Sequence, residues 1–351
     1  MDPLLHLISP AHLNAILARA GVSGDLRVRD VTTIRDSPTL VSRIIRLRLT
    51  YDGPANAAPD GLIVKTGLPA HQGTEWSGQQ EVAFYADVAP SLPAGLVPLC
   101  FEAHPADATT PWHLVLEDLT ETHALATEAP LPPSDNQCRT IVGSLARLHA
   151  AWWEYPQLGY TIDAHLYDAA MGQFIGQVAR HFEVFADRLG DELSGERRRF
   201  YEGLIAAPPL LRERYRDARN LTLTHGDAHM WNCFLPRNGS GDARWFDWAG
   251  WRRFRIPTND LAYMIAIHWY PDRRRRLERA LLDHYHEVLL ENGVDGYNHT
   301  DMLEDYRLSV LWQTVTPLFQ AAMKLPPRIW WNNFQRIMAA VDDLGCRELL
   351  G

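Results

Sequence analysis

Hydrophobic residues near the start of the chain recur first at helical spacing and then at strand spacing. Leu13 and Leu17 share one face of a predicted helix, which Ser9 caps. In residues 45–49 (IRLRL) the apolar side chains instead alternate with arginines, which is typical of a half-buried antiparallel strand. The change of spacing predicts a helix followed by an antiparallel sheet.

Two further apolar runs, residues 62–65 (LIVK) and 113–116 (HLVL), predict additional strands. Between them, a helix is predicted to begin near Ser77, which is followed three residues later by a capping-box glutamine. Lys65 therefore falls on a strand, and Glu81 falls on the helix that comes after it.

Helical spacing dominates from Ser134 onward, interrupted by two short apolar strands at residues 221–224 and 245–246. This shift predicts an α+β protein with two lobes. The smaller, β-rich lobe covers residues 1–118, and the larger, mainly helical lobe covers residues 119–351.

The composition excludes several functional classes. The formal net charge of -9 disfavours nucleic acid as a partner, because phosphate backbones select basic surfaces, and it favours a neutral or cationic small substrate. The four cysteines include no CxxC pair, so neither a disulfide framework nor a zinc knuckle is indicated. The N-terminus has no basic region followed by a long apolar run, so we expect no export signal, and the most apolar stretch is too short to cross a bilayer. We therefore expect a cytoplasmic protein without membrane contact; the composition does not indicate its oligomeric state.

A set of polar residues with the spacing of a phosphoryl-transfer site follows the late strands. Residues 225–232 (HGDAHMWN) place Asp227 directly after a predicted strand and Asn232 five positions later. In kinase catalytic loops an aspartate at this position takes the proton of the acceptor hydroxyl, and the asparagine binds metal. Asp247 ends the next strand, where its carboxylate could reach a magnesium ion that bridges the phosphates.

Lys65 and Glu81 complete this set as a predicted ion pair that directs the lysine toward the phosphates. Each motif also has a plainer interpretation. Lys65 could be a solvated strand lysine, and Asp227 could cap a turn beside its glycine. The joint spacing with Asn232 and Asp247 favours phosphoryl transfer.

Seven segments of the chain together resemble the aminoglycoside phosphotransferase family, including its ecdysteroid-kinase-like and choline-kinase-like branches. They are LIVK at residues 62–65, EVAFY at 81–85, LVLEDL at 114–119, SLARLHAAWW at 144–153, HGDAHMWN at 225–232, FDW at 246–248 and NDLAYM at 259–264. The resemblance implies a protein-kinase-like fold with a nucleotide-binding lobe over residues 1–118 and a catalytic loop and substrate pocket within residues 119–351. It further implies Mg2+, ATP or GTP as phosphoryl donor, and an aminoglycoside, aminoalcohol, sugar or sterol-like alcohol as acceptor.

The resemblance also assigns roles to individual residues. It implies that Asp227 is the catalytic carboxylate, that Asn232 and Asp247 are ligands of magnesium, and that Lys65 contacts a nucleotide phosphate.

The remaining nucleotide contacts fall on two segments. The resemblance implies that the backbone of Glu117 and Leu119 bonds the adenine edge. Residues 34–41, which should cover the phosphates, contain no glycine, although glycine normally permits close approach of the backbone to phosphate. The hydroxyls of Ser37 and Thr39 are the candidate replacements. The same departure motivates an alternative hypothesis, a nucleotide- or ligand-binding pseudokinase without turnover.

Other clusters have two interpretations. His225 and His229 lack a third zinc ligand at suitable spacing, so we predict that His225, together with Asp260, holds the catalytic loop by hydrogen bonds. The 12 tryptophans could form a box for a quaternary amine, but those at helical spacing are predicted to pack in the core. The three arginines in residues 252–255 (RRFR) could hold an anionic substrate group, whereas exposure at the surface is the plainer explanation.

Overall fold

The computed structural model describes residues 3–22, 24–39, 42–54, 58–68, 75–107, 110–155, 164–207, 210, 213–215 and 218–351. The chain divides into two compact units, each discontinuous in sequence. The sheet unit comprises Met1–Ala129 and Trp231–Trp251, and the helical unit comprises Pro130–Met230 and Arg252–Gly351. The predicted lobe boundary between residues 118 and 119 stays a prediction. Residues 40 and 41 of the predicted phosphate loop lie outside the described residues.

Among the described residues, the strands form three antiparallel groups. They are β1 (Val28–Pro38), β2 (Ser42–Tyr51), β3 (Gly61–Gly67), β4 (Cys100–His104), β5 (His113–Glu117), β6 (His123–Leu125), β7 (Thr222–Thr224), β8 (Cys233–Pro236), β9 (Arg244–Trp245) and β10 (Arg252–Arg255). The sheet unit holds a five-stranded sheet in the order β1-β2-β3-β5-β4 and a three-stranded sheet in the order β6-β8-β9, and the helical unit holds the pair β10-β7.

The helices are α1 (Pro3–Leu7), α2 (Pro10–Arg19), α3 (Glu75–Ala83), α4 (Asp135–Ala151), α5 (Ala164–Leu189), α6 (Gly195–Ala206), α7 (Thr258–Leu261), α8 (Pro271–Glu291), α9 (His299–Gln313), α10 (Thr316–Ala322) and α11 (Pro327–Asp343). Two of them continue as π-helical turns: Phe84–Val88 follows α3, and Ala262–Ile267 follows α7. In the part of the chain that the structure describes, no helix is both long and apolar enough to span a bilayer.

Alternation along β3 divides the large sheet into a core face and a second face. Leu62 and Val64 are fully buried in one hydrophobic cluster with Leu13 and Leu17 of α2. Because side chains alternate across a strand, Lys65 points to the opposite face. The predicted amphipathic helix and strands are therefore confirmed, together with the α+β class.

Two of the three predicted helix starts are confirmed. The Ser9 hydroxyl accepts from the His12 amide at α2, and Ser134 forms a complete capping box with Gln137 at α4. The third helix is also present, but α3 begins at Glu75, two residues before Ser77, so Ser77 lies inside the helix and not at its cap.

Candidate active site

A cavity of about 410 Å³ opens on the second face of the large sheet, within the sheet unit. The strand register builds its floor: Ile44 of β2 pairs with Lys65 of β3, and Ile63 of β3 pairs with Leu116 of β5. All four side chains line the cavity. An apolar cavity of this size with a few converging polar groups is typical of a small-molecule site.

Lys65 lies between two carboxylates at this cavity. Its Nζ is 2.7 Å from Glu81 Oε2 and 2.9 Å from Asp247 Oδ1. Burial alone would lower the pKa of the Lys65 ammonium, but the two carboxylates outweigh it and raise this pKa above its ordinary value. Lys65 is therefore a cation at neutral pH, held in a fixed position.

Aromatic packing fixes Asp247 beside this lysine. The indole of Trp248 stacks on the Phe84 ring, with ring centroids 3.8 Å apart, and Trp251 Nε1 donates to the Gln80 carbonyl. Asp247 itself adopts a left-handed conformation with φ 65° and ψ 60°, which costs energy for a residue other than glycine. Such conformations cluster at functional sites, and the Asp247 carboxylate remains 43% exposed.

Asn232 and Asp247 are brought to the same end of one strand pair. Asn232 precedes β8 and Asp247 follows β9, where Cys233 pairs with Trp245 and the Phe246 amide donates to the Asn232 carbonyl. Amide and carboxylate oxygens are the hard ligands that Mg2+ prefers. The two residues therefore fit the magnesium site that the sequence predicts.

Glu117 and Leu119 both line the cavity. The Glu117 amide donates to the Leu99 carbonyl, and the Leu119 carbonyl accepts from the amides of Thr122 and His123. An adenine edge would therefore have to meet the other backbone group of each residue, the Glu117 carbonyl and the Leu119 amide.

Ser37 and Thr39 differ in how their hydroxyls are used. The Ser37 oxygen accepts from Arg35 Nε at 2.9 Å, so its own proton can still be donated. Thr39 Oγ1 donates to the Ser42 carbonyl and accepts from the Ser42 amide, which closes the turn between β1 and β2. A phosphate contact by Thr39 would require this turn to rearrange.

We predict that Ser37→Ala weakens ATP binding by about 1.5 to 3 kcal/mol, the range for a hydrogen bond to a charged group, and leaves adenosine affinity unchanged. Calorimetric titration with both ligands measures this, and Ser91→Ala, which removes a hydroxyl bonded to the Val88 carbonyl, is the matched control. Equal weakening of ATP and adenosine would mean that Ser37 acts through the stability of the unit rather than on phosphate.

A buried carboxylate anchors the loop of the helical unit that carries Asp227. Asp260 is only 1% exposed and accepts from the His225 amide at 2.6 Å and from the Gly226 amide at 3.0 Å. The Asp227 amide in turn donates to His225 Nδ1 at 3.3 Å. The predicted roles of Asp260 and His225 in holding this loop are confirmed.

Asp227 has a partner that the sequence reasoning missed. The Tyr263 hydroxyl donates to Asp227 Oδ1 at 2.7 Å, while the Asp227 side chain remains 38% exposed. Burial and the Asp227 charge both raise the pKa of Tyr263 well above its ordinary value, so the phenol remains a donor at neutral pH. Asp260 and Tyr263 are three residues apart, and residues at this spacing share one face of a helix. Because Asp260 was predicted to hold the loop of Asp227, this spacing could have indicated the contact between Tyr263 and Asp227.

We predict that Tyr263→Phe lowers kcat by about fivefold, corresponding to roughly 1 kcal/mol for one hydrogen bond. The KM for ATP should not change, because the phenol orients the Asp227 carboxylate and does not touch nucleotide. Steady-state kinetics measures both values, with the exposed Tyr270→Phe as control. An unchanged kcat in the Tyr263 variant would remove this positioning role.

The structure thus brings together most of the residues predicted to bind nucleotide or metal. Those that line one cavity are Lys65, Glu81, Glu117, Leu119 and Asp247. Asn232 precedes β8, and Asp247 follows β9, the strand paired with it. The described residues that line the cavity include neither Ser37 nor Thr39. Asp227 belongs to the helical unit.

Comparison with solved structures shows the fold. An ethanolamine kinase of Plasmodium vivax is 10% identical with a TM-score of 0.50, and the match covers 98% of this chain and 89% of that chain. A choline kinase of Streptococcus pneumoniae is 15% identical, also with a TM-score of 0.50, with coverage of 95% and 99%. APH(2″)-IIa in its ternary complex with streptomycin and ATP is 11% identical at a TM-score of 0.50, with 96% of both chains covered. The predicted protein-kinase-like fold is confirmed.

Comparison of sequences shows the family. No curated protein sequence matches the chain significantly. A family model described as the ecdysteroid kinase-like family matches residues 39–294, which is well over half of the chain. The protein therefore belongs to the ecdysteroid kinase-like family.

Proposed function

We propose that this protein is a small-molecule kinase that transfers the γ-phosphate of ATP or GTP to a hydroxyl group of its substrate. The observation that carries the proposal is the buried lysine at the sheet-unit cavity, held by Glu81 and Asp247. This arrangement matches the lysine–glutamate pair and the metal-binding aspartate that kinases use to hold a nucleotide. Kinases of this fold support it, including one whose structure contains ATP.

Nucleotide binding follows from the chemistry of the cavity. The apolar side chains of Ile44, Ile63 and Leu116 would contact the base, and the Lys65 ammonium would contact a phosphate. Asn232 and Asp247 would hold Mg2+, which supplies positive charge over the phosphates when it is bound. Lys65 would then exchange its contact with Asp247 for one with the nucleotide and keep its contact with Glu81.

The transfer step depends on Asp227. Its carboxylate accepts the proton of the acceptor hydroxyl while that oxygen bonds to the γ-phosphorus and the bond to the bridging oxygen breaks, leaving ADP or GDP. Tyr263 fixes one carboxylate oxygen by its hydrogen bond, which holds the Asp227 carboxylate in a defined orientation for this step. Asp260 keeps the loop backbone in place during this step.

The pseudokinase alternative is less well supported. Nucleotide binding alone requires neither a proton acceptor nor a phenol that orients it. Asp227 is partly exposed, fixed by Tyr263 and carried on a loop whose backbone Asp260 holds, which favours turnover. A cytoplasmic location without a nucleic-acid partner remains part of the proposal.

A substrate screen tests this function. Purified protein is incubated with ATP or GTP and Mg2+ in the presence of alcohols (hydroxy acids among them), aminoglycosides, aminoalcohols, sugars and sterols, and nucleotide consumption is recorded. The proposal predicts consumption that depends on the acceptor and yields a phosphorylated product. Nucleotide binding without acceptor-dependent consumption across all classes would favour the pseudokinase.

A further inference from the structure

A second cavity, of about 200 Å³, lies within the helical unit beside the catalytic loop. We call it the arginine pocket. Its lining includes Arg252, Arg255, Phe174, Trp312, Gln313 and Gly226. Gly226 immediately precedes Asp227, so a molecule in this pocket would lie next to the backbone of the loop that carries the proposed proton acceptor.

A β-bulge brings the two arginines to the same face. In β10, Arg252 pairs with Thr224 and Arg255 pairs with Thr222, so three steps along β10 oppose two steps along β7. Without the extra residue, positions three apart would point to opposite faces of the strand. Within the bulge, Phe254 adopts a left-handed backbone conformation with φ 60°. The backbone therefore accepts strain that gathers two positive side chains at one pocket.

The charge of this pocket is positive. Burial, followed by repulsion from Arg255, lowers the pKa of the Arg252 guanidinium. Among the described residues of the lining, Asp260 is the one carboxylate, and both of its oxygens already accept hydrogen bonds from the backbone of His225 and Gly226. An anionic ligand would relieve the repulsion between the arginines, and guanidinium groups bind carboxylates through paired hydrogen bonds.

We propose that the arginine pocket binds the carboxylate of the acceptor, so that the substrate of this kinase is a hydroxy acid. The inference rests on the proposed function, because it identifies the acceptor of that reaction. The rings of Phe174 and Trp312 would contact the apolar body of the substrate. The overall charge of the chain favours neutral or cationic substrates, but charges within a few ångströms of a bound ligand outweigh distant, screened ones.

Matched acceptors test the proposal. Tropate, tropamide and phenylglycinol share a primary alcohol and a phenyl ring, and they differ in carrying a carboxylate, an amide or an amine. Mandelate, lactate and glycerate, each with its amide, extend the set to other hydroxy acids. Transfer from ATP is measured for each compound, and binding is measured separately by calorimetry in the presence of Mg2+ and ADP. The variants are Arg255→Gln, Arg255→Lys and, as a control on the exposed face of α6, Arg198→Gln.

The protein should use hydroxy acids with a kcat/KM about 10- to 100-fold above their amides, and Arg255→Gln should remove most of this preference. The effect of Arg255→Gln should appear mainly as a higher KM for the acid. Arg255→Lys should retain part of the preference for acids, and Arg198→Gln should leave this preference unchanged. The KM for ATP should not move.

Two different failures are distinguishable. The arginine-pocket inference is overturned if transfer to amides or amines equals or exceeds transfer to acids. It is also overturned if the Arg255→Gln variant keeps the preference for acids. Neither result contradicts the proposed kinase function. Absence of acid binding overturns the arginine-pocket inference as well. Binding of acids that depends on Arg255, without transfer to any compound, would confirm the pocket and overturn the phosphotransferase.

Discussion

Asp227→Asn is expected to lower kcat by about 100-fold or more, as for loss of a general base, while the affinity for nucleotide stays within about twofold. Asparagine has nearly the same shape and can still accept the hydrogen bond from Tyr263. The loop should therefore keep its structure, since Asp260 holds it through the backbone. What is lost is an oxygen basic enough to take the acceptor proton. Turnover at a saturating acceptor concentration measures the effect.

Asp187→Asn, an exposed substitution on α5, serves as the control for this prediction. Thermal melting of both variants should match the unsubstituted protein, which separates a chemical effect from unfolding. An Asp227→Asn protein that folds, binds nucleotide and retains near-normal kcat would contradict the assignment of Asp227 as proton acceptor.

Replacement of Asp247 should abolish most of the Mg2+-dependent part of nucleotide binding. Even outer-shell partners of metal sites typically contribute about 10- to 100-fold in metal affinity, and a direct carboxylate ligand should contribute at least as much. Asn is the informative substitution, because it tolerates the left-handed backbone at this position more readily than Ala does. Asp247→Asn thus removes the charge with little backbone cost, and Lys65 keeps its pairing with Glu81.

Calorimetry with ATP in the presence and absence of Mg2+ measures the affected quantity directly. The unsubstituted protein and Asp87→Ala, an exposed change in the sheet unit, should both bind more tightly when Mg2+ is present. If Mg2+ increases the ATP affinity of the Asp247→Asn protein as much as that of the unsubstituted protein, Asp247 is not a metal ligand.

The sequence predicted correctly those elements that depend on residues close to one another in the chain. The alternation in β2 and β3 and the caps at Ser9 and Ser134 are local, because each depends on residues a few positions apart. β10 was not predicted, because three arginines in four residues resemble a solvated charge block. It forms because its backbone pairs with β7 through a bulge. No residue type within the segment indicates this pairing.

In the candidate site, too, contacts between nearby residues were easier to predict than contacts between distant ones. Lys65 and Asp247 lie 182 residues apart, and only the combination of several motifs in a fixed order linked them before the structure did. Tyr263 lies 36 residues from Asp227, so its three-residue spacing from Asp260 was the local signal for this contact, and the π-helical turn that carries Tyr263 made that spacing a weaker guide. The turn-closing role of Thr39 depends on Ser42, three residues later, so a local reading of hydroxyl turns could have identified it.

The fate of the γ-phosphate tests phosphoryl transfer most directly. ATP labelled at the γ-position is incubated with the protein, Mg2+ and the acceptor set that includes the hydroxy acids, and the fate of the label is followed by phosphorus NMR and by mass spectrometry of the products. The label should appear as a phosphate ester on an acceptor hydroxyl, and Asp227→Asn should prevent its appearance. Label that stays on ATP, or that appears only as inorganic phosphate at a rate independent of the acceptor and of Asp227, would contradict the proposed phosphoryl transfer.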